Sequence, residues 1–203
     1  MRIMKNIMLF AMPFLLSGCF SFSSVPDVRA WFISESEGVA TNAKKDALFK
    51  VTRLGTIAVA SPYEKSSIVV LRENGTLAYD AYNVYPSAPS SMVRQPLKRL
   101  LSDDGRFGVV VGQTSIASAD AVVEATITKL ALDCTEKGMR MAKVAVELNV
   151  IQVKGAKREV TATAVGEESA SALSGNYSEA FSTAFSNASK EALNKLVIPR
   201  IEK

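Results

Sequence analysis

Histidine is absent from all 203 residues, tryptophan occurs once and cysteine twice. Without histidine the chain has no Ser-His-Asp or Cys-His relay and no imidazole ligand for a metal. Excess charge is also scarce, with 24 Lys and Arg against 20 Asp and Glu, a formal net charge of +4. That is not the footprint of a nucleic-acid binder. Long apolar runs are missing beyond the first twenty residues, so the remainder is expected to be a soluble body. No phosphate-cradling glycine loop and no metal-ligand spacing is present, and no cofactor is expected.

The N-terminus is organised differently. Arg2 and Lys5 form a basic front, Ile7 to Leu16 is apolar apart from Pro13, and Ser17, Gly18 and Cys19 follow. Ten residues are too few to cross about 30 Å of hydrocarbon, so residues 1–18 read as a cleaved export signal. Leu16-Ser17-Gly18-Cys19 resembles the lipobox of bacterial lipoproteins. Leu16, Ser17 and Gly18 are then the recognition residues for the signal peptidase, and Cys19 is the lipidation site. Its thiol would carry a diacylglyceryl group, alongside acyl chains such as palmitate. Each buried methylene contributes about 0.8 kcal/mol, so several chains make an essentially permanent anchor. Phe20 stands where an Asp would favour retention at the inner membrane, which points to the periplasmic face of the outer membrane. Losing Arg2 and Lys5 with the signal leaves a formal +2 on the 185 residues from Cys19 to Lys203, enough for one core.

Residues 19–28 read as a lipidated tether and 29–203 as one α+β domain. Arg29 to Ser34, with Trp31, Phe32 and Ile33, reads as a first strand, residues 35–45 as a loop, and Phe49 to Ala60 as a second strand. Ser67 to Glu73 and Thr76 to Tyr82 flank Asn74-Gly75, the pattern of a hairpin closed by a two-residue turn. Ser90 or Ser91 caps a helix running to Ser102, which Pro96 should kink or delay. Phe107 to Val111 is a short buried strand. Ala121 to Leu132, Met141 to Val153 and Glu159 to Val165 then form a meander. Its middle strand places Ala142, Val144, Val146, Leu148 and Val150 on one face, with Lys143, Glu147 and Asn149 on the other. Tyr177, Phe181, Ala184, Phe185, Ala188, Ala192 and Leu196 step by three or four, as in an amphipathic helix that Pro199 stops. Such a helix either covers the meander or lies on a membrane or partner. The expected architecture is an antiparallel sheet, hairpin plus three-stranded meander, packed by two helices.

In this order of elements the chain resembles the auxiliary lipoproteins of ABC-type lipid transporters, partners of mammalian cell entry (MCE) domain systems. The resemblance rests on the lipobox, Trp31-Phe32-Ile33, the hairpin through Ile68 to Tyr82, the approach Tyr82-Asn83-Val84-Tyr85-Pro86 into a helix near Ser91-Met92, and the closing meander and helix. Tyr85 stands where members often carry Trp. The resemblance implies a non-enzymatic protein at the outer membrane that helps an MCE-domain protein and its ABC transporter move lipid across the periplasm. Its body would either hold phospholipid beneath the C-terminal helix or dock as a homo-oligomer. A different function on a similar body is a structural or assembly lipoprotein of an outer-membrane complex for lipopolysaccharide insertion or secretion.

Candidate chemistry is sparse, and no catalytic residue is assigned. Asp103-Asp104 and Glu167-Glu168 stand beside glycines where solvated turns are expected. Cys134 reads either as a small buried hydrophobe or as a reactive thiol. Tyr79, Tyr82 and Tyr85 read either as packing or as lipid or partner contacts, with Tyr79 and Tyr82 on opposite faces of their strand.

Overall fold

The computed structural model describes residues 27–34 and 46–199. The signal, the lipobox, all but the last two residues of the tether and the 35–45 loop lie outside them. The elements are β1 (Arg29–Ala30), β2 (Phe49–Val59), β3 (Ser67–Arg72), β4 (Leu77–Val84), α1 (Pro89–Met92), α2 (Arg94–Asp103), β5 (Phe107–Val111), β6 (Ala121–Cys134), β7 (Met141–Lys154), β8 (Lys157–Ser171) and α3 (Tyr177–Lys195). The chain is α+β, as expected, but its sheet has eight strands and is mixed.

β6 to β8 form the expected antiparallel meander, longer than the sequence suggested, and β6 is its spine. On the other edge of β6 two strands lie end to end. β2 pairs in parallel with Ala121 to Ile127, and β3 pairs in parallel with Ala131 to Cys134. The sheet therefore forks into one wing of β2 and β5, also parallel, and another of β3, β4 and β1. The expectation of an antiparallel sheet is corrected here. Parallel neighbours need long crossovers, and α1 and α2, between β4 and β5, supply one of them.

The hairpin forms, with a longer turn than expected. Gly75 N–H donates to Arg72 O at 2.8 Å and Arg72 N–H to Thr76 O at 2.9 Å, and Gly75, with φ 75°, is the turn's only positive-φ residue. Three residues rather than two make the loop, the pattern of a turn followed by a glycine bulge. The helix expected from Ser90 is broken instead at Val93, into α1 and α2, with Ala88 and no side chain as its first cap. Pro96 explains the break. It has no N–H for Met92 O, and its ring crowds that carbonyl.

α3 covers one face of the meander. Asn176 caps it by accepting from Glu179 N–H at 3.2 Å, and Glu179 and Lys195 complement its dipole at either end. All seven apolar residues expected on its inner side are buried, and so are the five expected on β7. Burying Phe181 or Phe185 contributes about 2 kcal/mol each. The layers meet closely at Gly166 of β8, where a Cβ would lie 2.0 Å from Ala188 O and 2.6 Å from Ala192 N. No helix among the described residues is long and apolar enough to cross a membrane.

Candidate functional site

Leu16, Ser17, Gly18 and Cys19 lie outside the described residues, so the site is built from where the body begins. β1 pairs in parallel with the edge of β4, Arg29 beside Asn83 and Ala30 beside Val84. Trp31 then turns inward. Its indole N–H donates to Asn83 Oδ1 at 2.8 Å, and its ring lies 5.2 Å from that of Tyr177. Beyond it the chain leaves the sheet and runs along α3. Phe32 N–H donates to Ser178 Oγ at 3.0 Å and Ser34 N–H to Ser182 Oγ at 2.9 Å, while Ile33 is buried. Alternate residues of an extended chain and every fourth residue of a helix advance by about the same 6 Å, so the two ladders match. The expected first strand thus shortens to two residues, and Trp31 to Ser34 become a strap across α3. The i,i+4 serines 178 and 182 were the available signal, and sequence reasoning did not use them. An open groove of about 640 Å³ lies beside the strap, lined by Phe32, Ser34, Asn176, Ser182 and Ser186 among others.

The three tyrosines separate. Tyr85 is buried, edge-on to Phe181 at 5.8 Å, and its hydroxyl has no hydrogen-bond partner. Burial raises its pKa far above the ordinary phenol value. It is a core residue and not a contact for lipid or partner. Tyr79 and Tyr82 are 46% and 48% exposed. Tyr79 reaches Pro62 O with its hydroxyl, and Lys65 Nζ sits 4.5 Å from its ring centroid.

The expectation that Tyr79 and Tyr82 point to opposite faces is corrected. Ser67 pairs with Val84 but Val69 pairs with Tyr79, so β4 carries three extra residues there. Asp80 holds this bulge, its carboxylate accepting from the N–H groups of Tyr82 and Asn83 and from the Asn83 amide, at 2.8 to 2.9 Å. An odd insertion reverses the alternation and returns Tyr82 to the Tyr79 face. That face is turned away from α3.

The other candidates are structural. Glu167 and Glu168 lie inside β8 and not in a turn, because the strand runs on to Ser171. Glu167 pairs with Lys129. Its N–H donates to Glu191 Oε2 at 2.7 Å, and Lys195 Nζ donates to Val165 O at 3.2 Å, so α3 covers part of the outer edge of β8. Asp103 ends α2 and Asp104 follows, near a turn as expected. Asp104 pairs with Arg106, whose guanidinium also donates to Leu193 O at 2.6 Å and Leu196 O at 2.8 Å, capping α3. Cys134 is half-buried at the end of β6, and burial raises its thiol pKa. Beside it, Asp133 is bonded to Lys143 and Thr135. Burial works to raise the Asp133 pKa, but these partners outweigh it and hold it down at about 2. No group of three or more metal-ligating side chains is clustered among the described residues.

Beneath α3 the helix and sheet are closely packed. Gly166 meets the helix backbone directly, and Ala184, Ala188 and Ala192 are fully buried against the sheet.

Similarity to solved structures bears on this architecture. Protein XCC0632 from Xanthomonas campestris, whose description names the family model DUF330, is similar at TM-score 0.58 and 13% identity, over 83% of this chain and 90% of that one. The fold is shared. A second structure, described only as an uncharacterized protein, is similar at TM-score 0.55 and 11% identity, over 82% of this chain and 96% of that one. At such identities the likeness concerns the fold alone. No family model matches the chain, and no curated protein does.

Proposed function

We propose that this chain is a lipid-anchored periplasmic accessory component of an ABC/MCE-type lipid transport system, docking it at the outer membrane. The observation that carries the reading is Leu16-Ser17-Gly18-Cys19 behind a basic front and a ten-residue apolar run. The order of elements supports it: an aromatic segment at Trp31, a hairpin, a proline-entered helix, then a meander closed by an amphipathic helix. The closed packing under α3 favours a docking role over a single-lipid carrier.

Two measurements test this. Cells fed radiolabelled palmitate should label the wild-type protein but not Cys19→Ala, and the label should fractionate with the outer membrane. Purification of the detergent-solubilised protein should recover an MCE-domain protein with its permease and ATPase. Native mass spectrometry of the same material reports copy number and bound phospholipid, and the body is expected to be lipid-free. Recovery of a β-barrel or a secretion channel instead would select the assembly-lipoprotein reading. Unlabelled wild-type protein would end both.

A further inference from the structure

Four of the exposed large apolar side chains gather on one edge of the sheet. Leu77, Tyr79 and Tyr82 belong to β4, 46 to 51% exposed, and Val28 precedes β1, 61% exposed, whereas Phe32 lies along α3 and outside the patch. Arg29 pairs with Asn83, and the same parallel register carried one step back would set Val28 beside Tyr82. The bulge at Asp80 places Tyr82 on the face that carries Tyr79, and the pairing of Leu71 with Leu77 continues that face to the hairpin. The Asp80 carboxylate is turned into its own backbone, so it places no free charge in the middle of the patch. Lys65 stands at the Tyr79 ring.

The position of the patch says what covers it. The described body begins at Asp27, eight residues after Cys19, and an extended chain of that length reaches at most about 28 Å. The edge that receives this tether is the edge that carries the apolar side chains. Tyrosines with an apolar ring and a wet hydroxyl suit the depth of lipid headgroups.

We infer that the β1–β4 edge rests on the phospholipid surface, Tyr82 and Val28 at the headgroups, so that the protein is held in one orientation as well as at one place. This rests on the reading of Cys19 as the lipid anchor. Val197, 83% exposed just beyond the opposite end of α3, is separated from the strap by a helix about 28 Å long.

The experiment reads anchor and contact separately. Full-length lipidated protein is reconstituted into phosphatidylethanolamine/phosphatidylglycerol vesicles with brominated acyl chains, which quench indole at short range. Two proteins are compared in a Trp31→Phe background, Tyr82→Trp and Val197→Trp. Vesicle flotation reports the anchor. Strong quenching of Tyr82→Trp with little of Val197→Trp is the expected result. If both float and quench equally, or if Tyr82→Trp floats and is unquenched, the contact is refuted while the anchor stands. If neither floats, the anchor reading fails and the contact falls with it. Should Trp31→Phe fail to fold, hydrogen exchange of the unaltered protein keeps the question answerable. Exchange across residues 77–84 should slow on vesicles relative to detergent, and unchanged exchange overturns the inference.

Discussion

Gly166→Ala adds one methyl group at a point where α3 and the sheet are in direct backbone contact. The new Cβ would lie 2.0 Å from Ala188 O and 2.6 Å from Ala192 N. A carbon atom needs roughly 3 Å or more there, so the helix must retreat by about 1 Å or the strand must bow. Both contacts are with backbone, so no rotamer change absorbs them. The retreat loosens Phe181, Phe185 and the alanines between helix and sheet, and overpacking of this kind costs about 3 kcal/mol. For a chain of this size that lowers Tm by about 6 to 12 °C, measurable by circular dichroism with urea unfolding as a second probe. Gly105→Ala is the control. It has an ordinary φ and no atom within 4 Å of its Cβ, so it should move stability by no more than about 0.5 kcal/mol. Ala188→Gly should not rescue Gly166→Ala, because the obstruction is the carbonyl and not the methyl. A Gly166→Ala protein as stable as the control would refute the close packing on which the docking argument depends.

Three other outcomes follow from geometry already described. Tyr85→Phe removes a buried hydroxyl that has no partner, so urea unfolding should show it at least as stable as wild type, by up to about 1 kcal/mol. Arg106→Met removes the guanidinium's bonds to Leu193 O, Leu196 O and the Asp104 carboxylate together and should cost about 2 kcal/mol by the same assay. Arg106→Lys should recover less than half of that, since an ammonium cannot span three acceptors. Asp133 has a pKa depressed in the fold, so its contribution is complete above the ordinary carboxylate value near 3.9 and is lost as pH falls through about 2. The stability gap between wild type and Asp133→Asn should therefore be flat from pH 6 to 5 and narrow between pH 4 and 2. A gap constant over that range would sink the assignment.

Local rules were readable in the sequence where a period or a turn residue decides the outcome. The alternation in Ala142 to Val150 and the three-four spacing from Tyr177 to Leu196 each named a buried face, and each residue of those sets is buried. Gly75 marked the hairpin, although the loop took a third residue. What escaped was non-local or arose from an irregularity. β2 is buried on no simple period, because a bulge between Leu54 and Ile57 shifts its register against β6. Nothing near Phe49 to Val59 announces parallel partners drawn from residues 107 and 121 onward. Tyr82 was placed on the wrong face because the bulge on Asp80 leaves no mark in the hydropathy pattern. Tyr85 resembled Tyr79 and Tyr82 in sequence, and only the position of Phe181 separates it from them. The lipobox was legible from sequence alone, being a linear signal that no fold has to assemble.

The forked sheet also sets how the body answers a mechanical load. A pull that arrives at Asp27 meets a strand two residues long, and through the sheet it runs by way of β4 and β3 before it reaches β6. β2 and β5 hang on the other branch of the sheet, while Trp31 to Ser34 hand a second share of the load to α3 through Ser178 and Ser182. Peeling would begin at Arg29–Ala30 and the Trp31–Asn83 bond, and the long registers of β6, β7 and β8 would be strained last. The molecule has a yielding hem at one margin and a stiff trunk behind it.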